Sequence, residues 1–300
     1  MLILLQLKIE YENHLMNKCR LCNEEKKLQE SHIIPKFIGK WLRKTSATGY
    51  LRSLDTPNIR RQDLFKTHLL CKSCEDILSN DESYFANTIF HPYMNEQEIS
   101  YSFQYDHRLI RFCAGLSWRS LVYLTEVLND ENHDEIEKYK SKLQSFLLEK
   151  SSNVDQYEQH LFPLSLNSES PLSLKHSNLN SYFHRSVDID LLTLKNEMLI
   201  YTKIPNFILI SNINYSNINK MRGSRIALKQ GVFTVNKNFI LPIEMYNYLD
   251  NRLTFIKENL TDQISDVQNQ KILEDIKKDP KRLLKSNTLK AIKADRSSNQ

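Results

Sequence analysis

The alternation of apolar and polar positions predicts short strands and longer helices along this chain. Leu7 and Ile9 follow a period of two and predict a first strand. Further strand-like runs lie at 64–70, 182–192, 198–204, 207–213 and 231–235, and helical spacing is found at 106–129, 133–149 and 242–260. The Ser- and Asn-rich segment 151–180 predicts a loop. This mixture of elements predicts an α+β protein.

The segments group into three regions. Residues 1–95 predict a compact N-terminal module, residues 96–260 a mixed helical and β accessory domain, and residues 261–300 a basic helical or disordered tail. Ile272, Ile276, Leu283 and Leu284 give the tail partial helical spacing, which Pro280 interrupts.

Composition favours a globular protein and argues against a membrane protein. The 300 residues are 40% apolar, with 13 Phe and 14 Tyr, which is enough to fill a sizeable core. Spanning a bilayer takes about 20 consecutive apolar residues, and no run approaches this length. The apolar run at 1–5 is short and leads into Lys8 and Glu10, so we expect a cytoplasmic protein without a signal peptide or a membrane partner.

Four of the five cysteines form two C-x2-C pairs, Cys19 with Cys22 and Cys71 with Cys74. One such pair leaves open a redox role of the thioredoxin kind, but two pairs supply the four thiolates that a structural zinc ion prefers. The spacing therefore predicts a zinc site, and we expect replacement of any one of the four by Ser to unfold the N-terminal third. Cys113 lies in an apolar helical run and is expected to be a buried small hydrophobe.

A histidine-containing turn and a second strand lie between the two cysteine pairs. The sequence Ser31-His32-Ile33-Ile34-Pro35 predicts a strand end followed by a loop, since Pro35 cannot donate to a sheet. After the second pair, Glu75 opens an amphipathic helix with Ile77, Leu78, Phe85 and Ile89 as core candidates. Pro92 predicts the end of that helix.

This order of elements resembles the HNH nuclease family in its zinc-stapled, treble-clef ββα-metal form. That family commonly shows C-x2-C, then D-H-I-x-P, then L-C-x2-C-H at the start of a helix. The present chain shows Cys19-x2-Cys22, Ser31-His32-Ile33-Ile34-Pro35 and Leu70-Cys71-x2-Cys74-Glu75, and it looks especially like a bacterial subgroup with S-H-I-I-P and a C-E helix start. The resemblance covers about residues 17–92.

The resemblance implies a catalytic site around His32. His32 takes the position of the general base that activates water. Glu75, together with Glu30 next to Ser31, takes that of the ligands to a catalytic Mg²⁺ or Mn²⁺ ion. Ser31 replaces the usual Asp, Glu75 replaces the final His, and the central Asn of the family has no clear counterpart, Lys66 or Thr67 falling near its position.

Several neighbouring residues have two interpretations each. His68 is either a substitute metal ligand or an ordinary polar residue of its strand. Glu82 lies seven residues after Glu75 and is either a second metal ligand or an ion-pair partner of Arg119. His91 is better explained as a capping or packing residue than as a catalytic one.

Positive charge is concentrated in the segment that carries the cysteines and His32. Residues 18–72 contain 13 Lys or Arg and 5 Asp or Glu, whereas the whole chain has a net charge of only +5. A phosphate backbone suits this segment, and a simply solvated face is the alternative. The expected contacts are Lys36, Lys40, Arg43, Lys44, Arg60 and Arg61. Residues 271–296 add 9 basic and 4 acidic residues, either as further backbone contacts or as an ordinary solvated tail.

These features predict a metal-dependent HNH-type endonuclease that hydrolyses phosphodiester bonds of nucleic acid, with DNA as the expected substrate. Restriction or anti-phage defence is a role that the resemblance alone suggests. A zinc-dependent nucleic-acid-binding protein that does not cleave is the alternative, and a module that holds a protein partner is a third. The accessory domain is expected to position nucleic acid, to form a homo-oligomer or to bind a regulatory protein.

Overall fold

The computed structural model describes residues 18–95, 102–127, 133–150, 158–164, 174, 176–221, 223–235, 241–260 and 263–297. Within these ranges the strands are β1 Leu28–His32, β2 Lys66–Cys71, β3 Ser102–Asp106, β4 Gln159–Pro163, β5 Asp188–Leu194, β6 Glu197–Ile204, β7 Phe207–Asn212 and β8 Gln230–Thr234. The α-helices are α1 Lys36–Lys44, α2 Lys72–Phe85, α3 His91–Asn95, α4 His107–Val127, α5 His133–Leu147, α6 Leu179–Arg185, α7 Ile243–Leu260, α8 Asp266–Lys278, α9 Pro280–Lys285 and α10 Asn287–Ser297. The α+β class is confirmed. The strand predicted at Leu7 and Ile9 lies outside the described residues.

The first two strands form an antiparallel pair that ends beside a helix. Ser31 pairs with Thr67 and His32 with Lys66, and a bulge between Gln29 and Glu30 shifts the register. Helix α1 begins directly after Pro35. Proline suits this position because an N–H group at the start of a helix has no partner within the helix, so its absence costs no hydrogen bond. Helix α2 follows β2 without a loop. The pair β1–β2 and α2 therefore form one continuous unit.

The helix after the second cysteine pair runs further than predicted. A π-helical turn, Ala86–Phe90, joins α2 to α3, so the end predicted at Pro92 is wrong and the helical segment reaches Asn95. A proline inside a helix lacks an N–H and crowds the carbonyl four residues earlier, which here belongs to Thr88. The wider turn just before Pro92 accommodates this defect.

Helix α4 is the central element of the molecule. The helices predicted at 106–129 and 133–149 are confirmed as α4 and α5. Most described side chains of α4 are buried on all sides, Trp118 and Cys113 included. A helix that is buried all round needs neighbours on every face. Helix α4 has these in α2, α5 and the four-stranded sheet.

The four-stranded antiparallel sheet, in the order β4-β7-β6-β5, separates two hydrophobic clusters. Ile200 and Leu209 belong to the cluster that contains α4, α5 and the cysteine region. Tyr201 and Ile208 belong to the cluster on the other side, with α6 and α7. Because successive side chains of a strand point to opposite faces and both faces are covered, β6 and β7 are buried at nearly every position. The predicted domain divisions at residues 95 and 260 stay predictions.

Two predictions for residues 151–192 are wrong. The composition of 151–180 predicts a loop, but Gln159–Pro163 forms strand β4, which pairs with β7. The strand expected over 182–192 begins only at Asp188, because the preceding residues form helix α6. The Asp295 carboxylate accepts hydrogen bonds from the N–H groups of Asn180 and Ser181 at 2.6 and 3.0 Å. This cap comes from the far end of the chain, so no local pattern indicates it.

The C-terminal segment consists of three successive helices, α8, α9 and α10. The predicted interruption at Pro280 is confirmed, since α8 ends at Lys278 and α9 starts at Pro280. Side-chain caps mark both starts: Ser265 Oγ accepts from Gln268 N, and Asp279 Oδ1 accepts from Arg282 N. Helix α10 packs against α6. None of the described helices has the length and apolarity that crossing a membrane requires.

Candidate functional site

The four predicted cysteines come together in a single cluster. Cys19 and Cys22 lie in the turn before β1, Cys71 ends β2, and Cys74 lies in the first turn of α2. Their four Sγ atoms all lie within 4.8 Å of one another, and Cys22 Sγ is 3.9 Å from Cys71 Sγ. Zn–S bonds of about 2.3 Å in a tetrahedron require sulfurs about 3.8 Å apart. The cluster therefore fits a metal ion such as zinc.

Backbone geometry shapes both halves of this cluster. Asn23 has a φ of 60°, the left-handed conformation that Asn tolerates better than most residues, and this turns the chain back after Cys22. The N–H of Asn23 donates to the Cys19 carbonyl at 2.8 Å, and the N–H of Cys71 donates to Cys19 Sγ at 3.3 Å. The last bond joins the two pairs even though 52 positions separate them.

The start of α2 favours a thiolate at Cys71. Burial alone would raise the pKa of this thiol, but hydrogen bonds from the Ser73 hydroxyl and from the N–H of Cys74 lower the pKa of Cys71 to about 6. Thiolate is the form in which cysteine binds metals. Cys113, in contrast, is fully buried in α4 as predicted, and burial raises its pKa.

His32 lies at the end of β1 and forms a pair with Asp63. The imidazole Nε2 is 3.0 Å from Asp63 Oδ2, and the two side chains are 11% and 38% exposed. The Arg119 guanidinium holds the backbone of His32, because it donates a hydrogen bond to the His32 carbonyl at 2.9 Å. Burial by itself would raise the pKa of Asp63, but the hydrogen bond and charge of His32 outweigh it and lower that pKa.

A second polar pair lies beside the first. The buried Ser31 hydroxyl donates to Glu75 Oε2 at 2.8 Å, which joins β1 to the first turn of α2. Further along α2, Glu82 forms an ion pair with Arg119, so of its two interpretations the structure shows the ion pair. The arginine thereby links α2, α4 and the carbonyl of His32.

His68, His91 and Glu30 do not take part in these pairs. Glu30 is exposed and forms an ion pair with Lys66 at 2.6 Å. His68 is exposed opposite Glu30 in the strand register. The His91 ring packs against Phe37 and Phe90, with centroid distances of 6.0 and 5.4 Å, which agrees with the packing interpretation.

The predicted phosphate contacts fall into two groups. Lys36, Lys40 and Lys44 are exposed at every fourth position of α1 and so form one stripe along the helix. The three arginines already have partners within the protein: Arg43 Nη1 donates to the Gln62 carbonyl, Arg61 Nη2 to Thr56 Oγ1, and Arg60 forms an ion pair with Asp275 at 2.9 Å.

Asp63 is the site residue that the sequence analysis missed. It lies just before β2, the strand that pairs with the one carrying His32. An acidic residue at the edge of a predicted strand pair is the signal that could have indicated it. Among the described residues, the cysteine cluster is the only group of three or more Cys, His, Asp or Glu placed to share a metal ion.

Comparison of the chain with protein-family models, with curated proteins and with solved structures gave no match.

Proposed function

We propose that this protein is a metal-dependent endonuclease of the HNH type, with a zinc ion in the four-cysteine cluster. The observation that carries the proposal is the pair His32–Asp63 beside the pair Ser31–Glu75, at the junction of β1, β2 and α2. Three of these four residues were selected from the sequence as a nuclease motif. DNA is the substrate that we expect.

The arrangement around the cysteines supports a treble-clef module. A cysteine turn is followed by an antiparallel strand pair and by a helix whose first turn carries the last cysteine. The sulfur spacing and the four thiols suit zinc, which takes thiolate ligands in tetrahedral geometry. In this proposal zinc fastens β1 and β2 to α2 and thereby fixes the distance between His32 and Glu75.

His32 would act as the general base. Histidine is the side chain best suited to accept a proton from water near neutral pH. The Asp63 carboxylate, 3.0 Å from Nε2, would hold the imidazole in one orientation and stabilise its protonated form. The bond from Arg119 to the His32 carbonyl fixes the backbone at the same position. The other ring nitrogen, Nδ1, would then accept the proton.

Glu75 is the carboxylate available to a catalytic cation. Mg²⁺ is typically held by one or two carboxylates together with water and substrate phosphates, so it needs no cage of three protein ligands. When bound, such an ion neutralises the negative charge that develops on the phosphate. Ser31 would orient Glu75 through the 2.8 Å hydrogen bond. Glu30, paired with Lys66, is the less suitable ligand.

One observation favours the alternative of a zinc-dependent nucleic-acid-binding protein that does not cleave. In the described part of the chain, no second group of three metal-ligating side chains lies near His32. The exposed lysine stripe of α1 would serve binding equally well. A role in restriction or anti-phage defence rests on the resemblance to HNH nucleases alone.

Plasmid nicking by the purified protein tests the proposal. Wild type with added Mg²⁺ or Mn²⁺ should convert supercoiled plasmid to open circles, and His32→Ala should reduce the rate by about 100-fold or more. The matched control is His68→Ala, because His68 is exposed on the partner strand. The control should nick at the wild-type rate, and both variants should keep their zinc content and melting temperature.

Two results would count against catalysis by His32. Equal nicking by wild type and His32→Ala would remove this residue from the mechanism. Absence of nicking by the wild type, together with salt-sensitive DNA binding, would favour the non-cleaving alternative.

A further inference from the structure

Most acidic side chains of the C-terminal helices already form an ion pair or cap a helix within the protein. Residues 271–296 contain four acidic residues, of which Asp275 pairs with Arg60 and Asp279 caps helix α9. The third, Asp295, is buried and caps helix α6. Glu274 and Asp279 are exposed, but Asp279 uses a carboxylate oxygen to cap α9, so Glu274 is the exposed carboxylate of the four that has no such role. The surface of these helices is therefore more positive than the sequence count suggests.

The same helices are fastened to the C-terminal end of α1. The Arg282 guanidinium donates to the carbonyls of Arg43 and Ser46 at 2.9 and 3.0 Å. Nearby, the N–H of Asn287 donates to the Thr45 carbonyl at 3.0 Å. The last carbonyls of a helix lack partners within the helix and carry partial negative charge, so a guanidinium is well suited to this position.

A second arginine completes this attachment from the accessory domain. Arg185 donates to the Leu42 carbonyl and to Thr45 Oγ1, both at 2.8 Å, and its guanidinium lies 5.3 Å from the Trp41 ring centroid. The C-terminal end of α1 is thus held by α6 and α9 together. The position of the C-terminal helices against α1 follows from these specific bonds and not from apolar contact alone.

This attachment places two sets of exposed lysines on neighbouring elements. We call these lysines the lysine face: Lys36, Lys40 and Lys44 on α1, Lys277 and Lys278 at the end of α8, and Lys281 and Lys285 on α9. Among the described residues, no side chain of the lysine face has an ion pair or a hydrogen bond. Lys281 and Lys285 flank Arg282, which also reaches the Lys44 carbonyl at 3.4 Å. Other exposed lysines do have carboxylate partners, as in Lys72–Asp76 and Lys138–Glu135.

We propose that the lysine face is one continuous surface for the phosphate backbone of nucleic acid, shared between the N-terminal module and the C-terminal helices. The inference rests on the proposed function, because α1 begins directly after the turn that follows His32. Unpaired lysines on a rigid surface lose no internal ion pair when they bind phosphate, and they release the counterions of the nucleic acid. The C-terminal helices thereby extend the substrate contact beyond the candidate catalytic module.

The test is DNA binding by the full-length protein as a function of salt, without added Mg²⁺ or Mn²⁺. A labelled DNA duplex is titrated with wild type, Lys281→Gln/Lys285→Gln, Lys40→Gln/Lys44→Gln and the variant that combines all four changes. The control variant, Lys195→Gln/Lys229→Gln, removes the same charge from exposed positions elsewhere. Melting temperatures confirm that each variant is folded.

We expect each pair on the lysine face to raise Kd by roughly tenfold or more at 0.1 M salt and to reduce the slope of log K against log salt by about 2. The four changes together should reduce the slope by about 4, and the control pair should leave it unchanged. Binding of Lys281→Gln/Lys285→Gln at the wild-type level, with Lys40→Gln/Lys44→Gln weakened, would overturn the inference and leave the proposed function intact. No binding of the DNA duplex by the wild type would overturn both.

Discussion

The N-terminal strand pair and the four-stranded sheet each hold a histidine beside a carboxylate, but in different surroundings. The His32 side chain is 11% exposed and lies 3.0 Å from Asp63, whose side chain is 38% exposed. His160, on β4, is 3.2 Å from Glu158, but only 2% of its side chain is exposed and its Nδ1 contacts Ser224 Oγ at 2.9 Å. Burial lowers the pKa of His160 and outweighs the opposing effect of Glu158.

This difference shows that a pair of catalytic residue types does not by itself make a site. Ser224, His160 and Glu158 present the residue types of a hydrolase triad, yet Ser224 and His160 are buried and the Glu158 side chain is only 19% exposed. The pair His32–Asp63 lies beside the exposed lysine stripe of α1 and beside the start of α2, where Glu75 accepts a hydrogen bond from Ser31. Access and neighbouring charge therefore distinguish the candidate site from the structural network.

The two regions also differ in what stabilises them. The N-terminal region has the cysteine cluster, whereas the sheet region has its own apolar cluster with α6 and α7. With zinc bound as proposed, replacing Cys74 by Ser should release the metal and unfold residues 18–95, since structural zinc contributes about 10–16 kcal/mol in zinc-finger peptides. Limited proteolysis and metal analysis should show cleavage in this region while the sheet stays protected.

The control for this largest effect is Cys113→Ala, because Cys113 is equally buried but lies on α4, away from the cluster. The Cys113→Ala protein should keep the metal content of the wild type. A Cys74→Ser protein with wild-type metal content and melting temperature would show that the cluster does not hold the N-terminal region together.

Acid should weaken the sheet region through His184, a buried residue of α6. Burial lowers the pKa of His184 to about 4, against the raising effect of its hydrogen bond with Asn206. In the unfolded chain the imidazole accepts a proton near pH 6.5, so the unfolded state binds more protons between these values. Stability should be complete above about pH 6.5 and should fall by up to about 3 kcal/mol on going to pH 4.

Urea unfolding at pH 7 and pH 4.5 measures this loss, and His184→Gln should show a smaller one. The comparison variant is His68→Gln, whose exposed side chain should leave the pH dependence as it is in the wild type. Equal pH dependence in the wild type and in His184→Gln would mean that the buried imidazole is not the group that titrates.

The smallest expected effect separates the two histidine–carboxylate pairs directly. Asp63→Asn should lower the nicking rate by about 10- to 100-fold, because an amide cannot stabilise a protonated imidazole as a carboxylate does. It should also change the shape of the rate profile against pH while the melting temperature stays nearly constant. Asp63→Glu should restore part of the rate.

The matched variant in the other region is Glu158→Gln, which should lower the melting temperature and leave the nicking rate per folded molecule unchanged. A loss of nicking in Glu158→Gln equal to that in Asp63→Asn would contradict the distinction drawn between the two regions.

Much of the secondary structure could be predicted because its signal is local. The helices α4, α5 and α7 and the strands β6, β7 and β8 follow from apolar spacing. Strand β4 and helix α6 could not be predicted in this way. The pairing of β4 with β7 spans more than 40 positions, and the cap of α6 comes from Asp295. Contacts between distant segments leave no periodic pattern near the residues that they order.

The sequence by itself determined the four cysteines as candidate metal ligands and His32 and Glu75 as candidate catalytic residues, because ligand spacing and a short motif are properties of neighbouring positions. Only the tertiary structure decided which groups meet there: Asp63 with His32, Ser31 with Glu75, and Arg119 with Glu82. It also decided that Arg60 is paired with Asp275 while the lysines of α1 remain exposed. The physical reason is that charge and hydrogen bonding act over a few ångströms in space, and the fold alone determines which residues come within that distance.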